Sequence, residues 1–164
     1  METFDAISKR ASVREYQSKP IEKPLLEKLV DAGRRAPTAR AVEPWEFVVI
    51  IDKKTLQKLG TIANTGSFIK DAACCIAIYC KDIKYYLEDG CAATENILLA
   101  AADLGLGACW VAGDKKPYAG EVSKLLDASS DLKLVSLISL GWPKTDARQI
   151  KNRKLEDVIH WEGF

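Results

Sequence analysis

A single histidine, His160, occurs in 164 residues. Neither Cys-x-x-Cys nor paired Cys/His spacing accompanies it, so a zinc or haem centre has no ligand set to build on. No Ser/His/Asp relay can be ordered around one late histidine either. An excess of one charge is also missing, since 24 Lys and Arg face 23 Asp and Glu, a net of +1. That balance argues against a nucleic-acid surface or a basic membrane patch, both of which need clustered positive charge. Apolar runs are too short to cross a bilayer. Met1 to Arg10 has no apolar h-region, which predicts a chain without a secretory leader. Five cysteines, with Cys74 and Cys75 adjacent in an apolar run, predict reduced and buried thiols in a cytoplasmic protein, not a disulfide framework.

The length suits one domain, 1–164, with a sizeable core. Ile21 to Ala36 places Leu25, Leu26, Leu29, Val30 and Gly33 at helical spacing, with Pro24 in the first turn. "FVVII", Phe47 to Ile51, is rich in β-branched residues and predicts a buried strand. Asp52 can cap a helix in which Leu56, Leu59 and Ile62 recur every three residues. Ala72 to Cys80, Ala108 to Gly113 and Lys133 to Leu140 read as three further strands, and Glu121 to Ala128 as a helix. Tyr85 to Leu104 is the longest helical stretch, and its second half, "NILLAAADL", is apolar nearly all round, so it needs cover on every side. The tail from Asp146 is polar, with a short helical pattern near Leu155 to Ile159. The class is α+β, with a central sheet of about four to five strands flanked by helices.

Four segments carry candidate chemistry. In "ISKRASVREY", Arg10, Ser12 and Arg14 alternate; in an extended segment they would share one face, a donor set suited to a small dianion such as phosphate. A plain solvated strand has the same composition. "APTARAVEPWEF" is framed by Pro37 and Pro44; its small residues, among them Thr38, Ala39 and Ala41, would let a flat ligand approach the backbone, or the loop is an ordinary connection. "GLGACW" frees backbone N–H groups around Gly107 and Ala108, or is merely a helix cap before a strand. It ends a helix, where a dinucleotide fingerprint would begin one. Near the end Lys151 and Arg153 alternate again, as a second cationic pair or an exposed basic tail. No side chain is singled out as catalytic, and any reactive group is expected from a cofactor.

In this order, these segments resemble the nitroreductase family of FMN-dependent oxidoreductases over most of the chain. "KRASVREY" is similar to the family's phosphate-binding start, and "APTARAVEPWEFVVI" to its Ala-Pro-Ser…Gln-Pro-Trp-x-Phe stretch. "ENILLAAADLGLGACW" resembles its central helix and glycine turn, "GWP" its Gly-Tyr-Pro, and "KNRKLEDVIHWE" its Lys-x-Arg closing segment. The resemblance implies a central mixed β-sheet flanked by helices and a homodimer with FMN at the subunit interface. It implies that Arg10, Ala11, Ser12 and Arg14, with Lys151 and Arg153, hold the FMN phosphate. Pro37, Thr38, Ala39 and Ala41 would lie along the flavin, and Gly107 and Ala108 would offer backbone contacts. It further implies that NAD(P)H gives hydride to flavin N5 and that electrons pass to a nitroaromatic or quinone in a ping-pong scheme.

The chain departs from the pattern at Ala41, where the family commonly has asparagine, and at Glu43, where it has glutamine. It is also shorter than the larger nitroreductases, without the inserted helices that roof their substrate pocket. An FMN-binding protein without nicotinamide turnover, reduced by a protein partner, is the alternative these departures raise.

Overall fold

In a computed structural model, residues 2–164 are described, and they form a sheet between two helical layers. Four strands, β1 (Trp45–Ile50), β2 (Cys74–Lys81), β3 (Gly107–Ala112) and β4 (Leu132–Gly141), lie in the order β1-β2-β4-β3. All three pairings are antiparallel. The mixed character expected of the sheet is confined to its β3 edge, where Ser12 makes a parallel bridge with Ala108.

The strands sort their side chains by the two-residue period of a pleated sheet. On β2, Cys74, Ile76, Ile78 and Cys80 face one core, while Cys75, Ala77 and Tyr79 face the other. A strand covered on both faces reads as a continuous apolar run, which is why "CCIAIYC" shows no alternation. The first core is closed by α2 (Lys23–Arg34) and α4 (Tyr86–Asp103), through Leu26, Leu29, Ile97 and Ala101. The second is closed by α3 (Lys53–Ile62) and α5 (Ala119–Leu125), through Leu56, Leu59 and Val122. Pro24 sits in the first turn of α2, and the Asp52 side chain accepts from Thr55 N at 2.8 Å to cap α3, as expected from sequence.

Four thiols are buried and Cys91 is half-buried; none is paired. Adjacent positions on β2 send Cys74 and Cys75 into opposite layers, so they cannot close a disulfide. Three elements carry weaker sequence signals: α1 (Thr3–Lys9) and the short 3₁₀ segments Ala39–Ala41 and Asn64–Asp71. Among the described residues no helix is long and apolar enough to cross a membrane, and no cluster of His, Cys, Asp or Glu could hold a metal ion.

Candidate active site

The end of α1, the C-terminal end of α4, the start of β3 and the segment 146–149 enclose a cleft of about 590 Å³, within the range of cofactor pockets. α4 stops at Gly105, whose φ of +74° places it in the left-handed region that glycine adopts without strain. Leu106 N then donates to Ala101 O at 2.8 Å and closes the helix end in a Schellman pattern. Two residues on, a Cβ at Gly107 would lie 2.6 Å from Val13 Cγ1, so only glycine lets the strand pass this close. The segment after α1 is held there by Val13 N donating to Ala108 O at 2.9 Å. Tyr16 secures its far end, with a hydroxyl 2.6 Å from Val13 O and 2.7 Å from Ser139 Oγ. Burial raises the Tyr16 pKa well above the ordinary phenol value, so this hydroxyl stays protonated.

The cleft has an apolar floor, including Leu98, Ala102 and Leu106, and cations at its rim, Lys9, Arg10 and Arg148, beside Asp146. Arg10 Nε lies 3.7 Å from Glu95 Oε1 on α4. Arg10, Ala11, Gly107 and Ala108 of the expected site all line this space. Ser12 and Arg14 do not. The Arg14 guanidinium lies over the Phe68 ring, 5.7 Å from its centroid. With only isolated bridges at Ser12 and Tyr16, the segment is not a continuous strand, and strict alternation of its side chains is not enforced. Behind it, burial pushes the Cys109 thiol up, an effect partly offset by Arg14 and by a hydrogen bond with Ser12.

The loop that carries Pro37, Thr38, Ala39 and Ala41 sits elsewhere. Arg40, Ala41 and Glu43 have φ of 59°, 54° and 50°. Left-handed conformations cost non-glycine residues on the order of 1–3 kcal/mol each and persist only where the surroundings over-determine them. Here the over-determining group is Asp89 on α4, 4% exposed. Its carboxylate accepts from Thr38 Oγ1 at 2.8 Å and from Ala39 N at 3.0 Å. Thr38 Oγ1 in turn accepts from Glu43 N at 3.1 Å. Seven residues along the same face of α4, Asn96 Nδ2 donates to Ala32 O at 3.0 Å and holds the end of α2.

Helical geometry sets this loop apart from the cleft. At 3.6 residues per turn, Leu98 and Ala102 point roughly half a turn away from Asp89, and Glu95 about a third of a turn. Leu98 and Ala102 also lie roughly 14 and 20 Å along the axis from it. One helix therefore separates the two parts of the expected site. Lys151 and Arg153 are a third group, since residues 150–164 are all exposed and the Arg153 guanidinium donates to Asp157 O within the tail. Gln149 Nε2, donating to Ile7 O at 2.6 Å, ties the segment before them to α1.

Lys9, Glu95, Arg148 and Asp89 were not singled out from the sequence. Nothing in the sequence sets Asp89 apart from Glu88 beside it or from Glu95 in the same helix.

Residues 2–163 match the family described as "Putative TM nitroreductase". The chain belongs to the nitroreductase family. It is 32% identical over 173 residues to the "Putative NADH dehydrogenase/NAD(P)H nitroreductase" of Archaeoglobus fulgidus, covering 99% of each chain. A solved structure of the same description from Bacteroides thetaiotaomicron superposes with a TM-score of 0.94 at 30% identity, over 99% of this chain and 98% of that one. An FMN-dependent nitroreductase from Clostridium difficile gives a TM-score of 0.91 at 27% identity, over 98% and 99%. The helix before the glycine turn and the strand after it form one wall of the cleft.

Proposed function

We infer that this nitroreductase-family protein binds FMN and oxidises NAD(P)H, passing the electrons to a small acceptor such as a nitroaromatic or quinone. The cleft carries this reading, because it sets an apolar floor against a cationic rim and so suits a flat ring with an anionic tail. FMN, when bound, supplies the redox centre, for which this chain offers no side-chain substitute. Arg10 and Arg148 would take the phosphate. Ser12, Arg14, Lys151 and Arg153 lie outside the cleft in this structure and would complete its shell only by turning toward it. Gly107 and Ala108 would keep the backbone within reach of the ring.

Pro37, Thr38, Ala39 and Ala41 would cover the flavin, yet α4 separates them from the cleft of their own chain. The loop is therefore supplied by a second copy, in a homodimer with the cofactor at its interface. Two observations support this arrangement. Half-buried residues on α4, Cys91, Ala92, Glu95, Leu99 and Ala102, leave part of the helix surface uncovered by its own chain. Apolar side chains crowd the exposed tail, with Ile150, Leu155 and Trp161 each more than two-thirds exposed.

The test is anaerobic addition of NADH or NADPH to the FMN-loaded protein, followed at the flavin's visible band. Bleaching by either supports the reading. A flavin that stays oxidised with both, yet is reduced by a ferredoxin-like protein, favours the alternative of an FMN module without nicotinamide turnover, for which Ala41 is the specific departure.

A further inference from the structure

We propose that Asp89 is a positioning residue for the flavin-facing loop. From α4 it sets the left-handed backbone at Arg40, Ala41 and Glu43 on which the loop's contact with the cofactor depends. This rests on the FMN reading above but adds to it a residue with no contact to the cleft.

The geometry is specific. The two carboxylate oxygens take separate donors, Oδ2 from the Thr38 hydroxyl and Oδ1 from the Ala39 amide. The Thr38 oxygen then serves as acceptor for Glu43 N, five residues on, so one buried carboxylate closes both ends of the strained turn. The loop residues Pro37, Arg40, Ala41, Val42 and Glu43 are themselves exposed, so packing does not hold them. Asn96, on the same helical face, donates to Ala32 O and so ties the end of α2, from which the loop departs, to α4. Asn cannot replace Asp fully at 89, because its amide nitrogen would face one of the two donors. A carboxylate, not merely a polar group, is what the arrangement needs.

The experiment compares the full-length wild type, Asp89→Asn, Asp89→Ala and Thr38→Val, with FMN as the ligand. Amide exchange at Ala39 and Glu43, FMN dissociation constant and the midpoint potential of the bound flavin are read for each. Asp89→Ala is expected to speed exchange at Ala39 and Glu43 at least tenfold while amides in β2 and β4 keep their protection. It should also weaken FMN at least tenfold and shift the potential. Asp89→Asn should fall between it and wild type.

Exchange that rises equally in β2 would overturn the proposal, since Asp89 would then merely support the fold. So would local exchange changes with FMN affinity and potential unmoved. Should the Asp89 variants fail to fold, Thr38→Val cuts the same link, and unchanged FMN affinity in it is decisive against the proposal. A wild type that binds no FMN strikes the functional reading itself and this inference with it. Tight binding by both wild type and Asp89→Ala strikes the inference alone.

Discussion

Arg10 is the residue on which the cleft's chemistry turns. Its side chain is 23% exposed and lies beside Glu95, so an anion meets a guanidinium that is already oriented and partly shielded. A charge-assisted hydrogen bond contributes about 1.5–3 kcal/mol, or about one to two powers of ten in affinity. Arg10→Ala should therefore weaken FMN by about tenfold to a hundredfold. Adding Arg153→Ala should weaken it further, by less because Arg153 is exposed, and flavin fluorescence titration reads both. Equal occupancy in the double variant and wild type would dismiss the phosphate site. The thiols make a second prediction. Burial lifts Cys74 and Cys80 from 9.0 to about 12. A raised pKa means that the folded state favours the protonated form. Their contribution to stability is thus complete below pH 9 and fades as pH climbs toward 12. Thermal midpoints should decline across that window, less steeply in Cys74→Ala once its lower starting stability is subtracted.

Among the elements, α3 is the clearest case of local sequence deciding local structure. Asp52 accepts from both Thr55 N and Thr55 Oγ1 at 2.8 Å, and the Thr55 amide above all holds its carboxyl below 3.8. A lowered carboxyl pKa stabilises the fold above its unfolded value and is lost as pH falls through the folded one. Asp52→Ala should accordingly lower the melting temperature at neutral pH, and the gap to wild type should close in acid. A gap that persists unchanged at pH 2 would show that the cap bond is not its cause. α4 belongs to the opposite kind. Its face at Asp89 and Asn96 serves the loop and α2, and its face at Leu98 and Ala102 serves the cleft. Periodicity marks such a helix as apolar nearly all round but does not say which face meets what.

For the whole molecule, residues 150–164 belong to neither core of their own chain, and all are exposed. A chain ended at Gln149 should keep its fold yet lose Lys151 and Arg153 along with the tail's apolar residues. The full chain is expected to sediment at twice 18.1 kDa, and the shortened one as a monomer with little flavin. A truncated protein that stays dimeric and yellow would refute the role given to the tail.

Much of this was legible in the amino-acid order because the physics involved is short-range. Two-residue and helical periodicities, Pro24 at a first turn, the Asp52 cap and Gly105 past the end of α4 each depend on neighbours within a few positions. The Arg10–Ala11 and Gly107–Ala108 segments could be paired only through resemblance, and the bridge from Ser12 to Ala108 brings them side by side. What order alone could not disclose spans long separations. Asp89 meets Thr38 fifty-one positions away, and Arg10 meets Glu95 across eighty-five. Arg14 turns to Phe68, although alternation would have aimed it beside Arg10. Those pairings arise because sheet and helices pack into layers, and packing joins residues by their place on a face, whatever their distance along the chain.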